Sequence, residues 1–164
     1  MLEGVVGAAT HRLDAARAVL APMVTDAQIE FPDPCDAPPP PGLRKGITAF
    51  NHREYYEAHE TIEHEWHAEP GAIRRLYQGI LQIGVGFLHA KRGNHAGALL
   101  LLEDGIEKTA GFTPRCLGIE TGQLVMDAQR CLDTLRALGP SRLDEFDFDA
   151  LPLIQFTPGG LADG

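Results

Sequence analysis

The sequence predicts an all-α fold: a small antiparallel bundle of about four to five helices with a proline-rich connecting segment. Two observations carry this. Several long segments place apolar residues at helical spacing, and no stretch alternates apolar and polar residues as a half-buried strand would. Glycine, proline and asparagine fall between those segments, where helices stop and turns begin.

From the N-terminus, residues 1–30 hold a helical segment in which Val6, Leu13, Ala16 and Leu20 share one face. Residues 31–46, FPDPCDAPPPPGLRKG, are expected to be an extended strap over the body. A run of prolines has no place inside a helix and favours polyproline II. A ligand for a proline-recognising module is the alternative reading of that run.

A helix is then expected from Ile47 to Ala68, ending at Glu69-Pro70-Gly71, and a second from Pro70 or Ala72 to Arg92. Gly93 suits the end of that helix, and Asn94 suits the start of a third, HAGALLLLEDGIEKTAG. Thr113-Pro114 interrupts the pattern. A further helix over Thr121–Leu138 would bury Leu124, Ala128, Cys131, Leu132 and Leu135, and the rest is irregular tail. Residues 47–110 form a core of three helices within a single domain covering 1–164, with 111–164 supplying the C-terminal helix and tail.

Composition bounds the function. A chain of 164 residues, 44% hydrophobic and 23% charged, has the size and balance of one globular domain. No apolar run approaches the roughly 20 residues of a membrane span. The first twenty residues lack a basic region followed by an apolar one, so no signal peptide and a cytoplasmic location are expected. A net charge of -9 disfavours a nucleic-acid partner, since phosphates demand a basic surface. Only Lys45, Lys91 and Lys108 among the 14 basic residues are lysine, which fits either salt adaptation or a high-GC genome. Cys35, Cys116 and Cys131 are an odd, scattered set, which argues against a disulfide framework and a thiolate zinc site.

Residues 50–67, FNHREYYEAHETIEHEWH, carry four histidines and five glutamates. Continued as one helix, they place His52, Tyr56, His59, Glu63 and Trp66 within an arc of about 80°. Glu54, Glu57, Thr61, His64 and Glu65 fall opposite, as a solvated face. A carboxylate is almost never buried without a partner, so Glu63 demands something across from it. The next helix offers Gln78, Gln82 and His89, which fall within about 40° of one another. Gly79 and Gly86 flank that stripe and permit a close approach. The expected result is a buried cluster of His59, Glu63, Gln82 and His89, with Tyr56, Glu60 and Gln78 at its margin.

Such a cluster has two chemical readings. His59 and Glu63, one turn apart, could share a divalent metal ion such as zinc, with His89 as third ligand and one position open. The same groups could instead form a metal-free hydrogen-bonded network. HExxH is not present, because position 63 is glutamate, and HxxEH fails because His59 and His64 point apart.

The motif FN-x4-YEAHETIEHEW, followed by LYQGILQIGVGFLHAKRGNHAGA, resembles a small bacterial and archaeal family known as domain of unknown function 309. The matching positions are Phe50, Asn51, Tyr56, His59, Glu60, Glu63, Trp66, Gln82, His89, Gly93 and Asn94. The likeness covers residues 47–110, with a weaker echo in CLGIETGQL. It implies an all-helical fold and a metal-dependent hydrolase label, without a named reaction.

Three functions follow. In a hydrolase, His59, Glu63 and His89 would hold the ion, and Glu60 would act as general base on its bound water. In a non-enzymatic interaction module, the polar cluster would fix helix register. A small-ligand pocket between the two helices stands between these, and neither a nucleophile motif nor a phosphate loop supports it. Substrate, protein partner and self-association stay open.

Overall fold

The computed structural model describes residues 33–158, so the expected N-terminal helical segment lies outside the described residues. Among the described residues five α-helices follow one another: α1 (Pro41–Asn51), α2 (Tyr55–Ala68), α3 (Ile73–Lys91), α4 (His95–Ala110) and α5 (Thr121–Leu138). The fold is all-α, and each helix packs on its neighbours in the chain, α3 on α4 most extensively. The short connections at 69–72 and 92–94 make consecutive helices antiparallel neighbours.

The strap is shorter than expected. After a single 3-10 turn at Pro34–Asp36, Ala37 and Pro40 are extended and Pro38 and Pro39 lie outside any regular element, but α1 already begins at Pro41. The last proline of the run stands in the first turn, where its missing N–H is no loss. From there Leu43, Ile47 and Phe50 recur at helical spacing and are all buried.

The helix expected over 47–68 is in fact two. Asn51 ends α1, and Arg53 adopts a positive φ of 62° before α2 starts at Tyr55. The C-terminal tail fastens this break. Asn51 accepts a hydrogen bond from the Ile154 N–H at 2.7 Å and donates one to the Ile154 carbonyl at 3.0 Å. The Arg53 guanidinium donates to the Asp149 carbonyl.

At the α3–α4 seam the two backbones nearly touch. A Cβ on Gly105 would lie 2.7 Å from the Gly79 carbonyl oxygen and 2.8 Å from the Ile83 nitrogen. One on Gly86 would meet the Leu102 side chain at 2.9 Å. Gly79 and Gly86 thus admit a neighbouring helix as expected, and that helix is α4. The α4–α5 contact includes the buried His95, whose Nε2 lies 2.7 Å from the Leu135 carbonyl oxygen. On α5, Leu124, Ala128, Cys131, Leu132 and Leu135 are all buried, the face its spacing predicts.

Between α4 and α5 the chain turns tightly at Cys116–Ile119. Gly118 has a φ of +71°, and a Cβ there would press on Pro39 at 3.0 Å, so backbone and space both call for glycine. This turn joins strap and tail. Leu117 N–H donates to the Cys35 carbonyl, while Thr157 N–H donates to the Gly118 carbonyl and Glu120 N–H to the Gln155 carbonyl.

The cysteines overturn an expectation: Cys35 and Cys116 form a disulfide across 81 residues of sequence. An odd count with no close pair says nothing about such a bond. Only the docking of the strap on the turn brings the sulfurs together. Cys131 is the free, buried thiol, and burial pushes it up to about 11. No described helix is long and apolar enough to cross a membrane.

Candidate functional site on the outer row of α2

The core face of α2 is Tyr55, Ala58 and Ile62. It lies about 90° around the helix from the arc centred on His59 that the motif suggested. The break at 52–54 is one reason, since it removes His52 from the helix and from the count. The other is Glu63, which stays in water and so needs no partner across a helix interface. Two neighbours confirm the orientation: Gly46 of α1 packs against Ile62, and Tyr55 stands 5.2 Å from the Phe50 ring and 5.9 Å from the Phe87 ring.

His59 and Glu63 do come together, one turn apart, with His59 Nε2 2.9 Å from Glu63 Oε2. They are not largely buried: their side chains keep 30% and 38% of their surface in solvent. The other carboxylate oxygen of Glu63 lies 3.4 Å from His67 Nε2. One carboxylate therefore sits between two imidazoles along the helix. His67 continues the four-residue step of His59 and Glu63, and that spacing was a legible signal.

Aromatic groups bracket the row. Tyr56 is 54% exposed and stacks beside His59, with ring centroids 6.4 Å apart. Trp66 is half-buried and lies 4.5 Å from the His67 ring, and the Arg74 guanidinium sits 4.7 Å above its centroid. Arg74 comes from the first turn of α3, just beyond the α2–α3 connection. Glu57 and Glu60 are exposed, whereas Thr61 and Glu65, expected in open solvent, are half-buried. The Glu65 side chain lies against Gly42 of α1.

The polar stripe of α3 has other partners. The Lys108 ammonium of α4 donates to Gln82 Oε1 at 3.0 Å. His89 Nδ1 lies 3.1 Å from the Asn94 side-chain nitrogen, and Asn94 Oδ1 accepts the Gly97 N–H at the start of α4. Gly84, which meets Phe50 and Tyr55, is about 160° around α3 from Gln82. Gln82, with half-buried Gln78 and His89, thus lines the α4 side of α3 and not the α2 side. The two stripes do not face each other. The glycines flanking the glutamines give the reason, because the closest helix settles on them, and that helix is α4.

Among the described residues, no three His, Cys, Asp or Glu side chains are grouped so that they could hold a metal ion. His59 and Glu63 offer two donors, and His89 is turned toward the α3–α4 corner. The three-ligand set expected from the sequence does not fit this geometry.

Two buried tyrosines lie beneath the row. Tyr55 is 1% exposed, its hydroxyl has no hydrogen-bond partner among the described residues, and burial pushes it up to about 12. Tyr77 is likewise pushed up to about 12 by burial, with the Glu69 and Glu65 charges adding to the effect. Both stay protonated at neutral pH and act as packing groups.

The family model described as domain of unknown function (DUF309) matches residues 43–101. The uncharacterized protein YpuF of Bacillus subtilis (strain 168) is 33% identical over 76 residues, which is 44% of this chain and 44% of that protein. The chain thus spans less than half the length of that curated relative. No solved structure matches. The resemblance read from the motif holds: over residues 43–101, from α1 into α4 and including the whole outer row of α2, the chain matches the DUF309 family.

Proposed function

We propose that the protein is a non-enzymatic helical binding module whose working surface is the outer row of α2. The observation that carries this is the setting of the row. Tyr56 is exposed, Trp66 is capped by Arg74, and the partly exposed His59, Glu63 and His67 side chains lie between them. Tyrosine, tryptophan and arginine are the side chains that contribute most to protein interfaces, because each buries a large area at modest entropic cost. A carboxylate between two imidazoles adds polar groups that a partner can pair with. A photoreactive residue at position 56 tests the reading, with position 126 on α5, also exposed, as control. The module reading expects a cross-linked partner from position 56 alone; equal products from both positions, or none, contradict it.

A metal-dependent hydrolase remains the second reading, on one observation: His59 and Glu63 adjoin and could share an ion. It needs a third ligand, for which His89 is turned the wrong way, and exposed Glu60 would have to serve as general base. Metal analysis of untagged protein separates the two. Near-stoichiometric divalent metal that is lost in Glu63→Gln would favour the hydrolase. Trace metal, and melting unchanged by chelator, would favour the module.

A further inference from the structure

We infer that the Cys35–Cys116 disulfide is a thiol-operated latch, which holds the strap of residues 33–40 on the Cys116–Ile119 turn and releases it on reduction. Among the described residues the strap has few other attachments. Pro34, Pro38, Pro39 and Pro40 have no N–H to donate, and the N–H groups of Cys35, Asp36 and Ala37 are spent within the strap itself. To the turn it offers one backbone hydrogen bond, from Leu117 N–H to the Cys35 carbonyl, and the packing of buried Pro39 on Gly118. The strap adds only Cys35, packed at the edge, to a hydrophobic core cluster whose members come mainly from α1 to α5 and include Cys116, Leu117 and Ile119 of the turn. Breaking the bond therefore acts on the strap and the turn first.

Access has a direction. Cys35 is half-buried, whereas Cys116 is 1% exposed. A dithiol reductant meets the Cys35 sulfur. Its thiolate attacks Cys35 Sγ, a mixed disulfide forms there, and the Cys35–Cys116 bond breaks. Cys116 leaves as a thiolate and takes a proton from solvent. The reductant's second thiolate closes on its own first sulfur and expels the Cys35 thiolate, which is protonated in turn. Two electrons pass from the dithiol, which ends as a cyclic disulfide. Release uncovers the turn at Cys116 and Leu117, both buried when latched.

The test is hydrogen exchange on the full chain, oxidised and then reduced with dithiothreitol, with alkylation counted by mass. Before reduction no cysteine outside Cys131 should alkylate; after it Cys35 and Cys116 should both do so. The Leu117 amide should lose its protection on reduction, while the Ile80 and Ile83 amides of α3 keep theirs. Cys35→Ser should show the reduced exchange pattern, with Cys116 alkylating, with or without reductant. Alkylation of Cys35 and Cys116 in the unreduced protein would overturn the proposal. So would a Leu117 amide still protected after reduction, or loss of α3 protection together with Leu117, which would make the bond a staple of the whole fold.

Discussion

The α3–α4 seam and the outer row of α2 lie on either side of one central helix and obey opposite rules. At the seam, Gly79, Gly86 and Gly105 bring backbones so close that a single added carbon collides with main-chain or buried atoms. There the residue at each of these positions must be small. On the outer row, His59, Glu63 and His67 meet through side chains that remain partly in water, and exposed pairs of this kind contribute only about 0.3–0.5 kcal/mol. The difference teaches that chemistry-rich residues in this chain are not the ones that hold it together. A helix can display histidines and glutamates conspicuously while leaving its stability to Tyr55, Ala58 and Ile62.

The comparison breaks most easily at the seam. Leu102→Ala removes a fully buried side chain that packs against Gly86, and such truncations cost about 2–5 kcal/mol. Denaturant unfolding should show that loss, and a cost below about 1 kcal/mol would mean the seam can collapse around the gap. Gly105→Ala should come next. Helix propensity favours alanine by about 1 kcal/mol, but overpacking against backbone atoms costs about 1–3 kcal/mol. Net destabilisation is expected, and a variant more stable than wild type would show that α3 and α4 stand further apart.

Tyr55 sharpens the comparison through pH. Its folded-state value of about 12 lies above its ordinary value of 10, so the folded chain keeps a proton that the unfolded chain gives up between them. Below pH 10 both states are protonated and the group has no effect. Stability should fall as pH rises through that window and level off above it. Tyr77 acts in the same sense. Tyr55→Phe removes a buried hydroxyl that has no partner among the described residues, so it should be near-neutral or stabilising at pH 7 and should flatten the alkaline decline. An unchanged slope in alkaline melts would assign the decline to other groups.

Much of the fold was legible because helix periodicity and turn residues report local forces. The buried face of α5, the Asn94 cap on α4 and the glycine approach on α3 all follow from spacing alone. What was not legible depends on distant partners. Asn51 holds Ile154, and the break between α1 and α2 that it supports shifts the helical phase of every later residue in the motif. The pairing of Cys35 with Cys116 likewise needs the strap laid on its turn. At the candidate site, the His59–Glu63 contact was readable as a four-residue step. The direction of Gln82 and His89 was not, because the glycines beside them do not say which helix will approach.

The most direct test of this account is the stability of Glu63→Ala and Glu63→Gln, measured by denaturant unfolding at neutral pH. A half-exposed carboxylate between two surface imidazoles predicts that both variants stay within about 1 kcal/mol of wild type. A loss of about 3–5 kcal/mol in Glu63→Ala, with Glu63→Gln clearly milder, is the mark of a buried charged network and would contradict it.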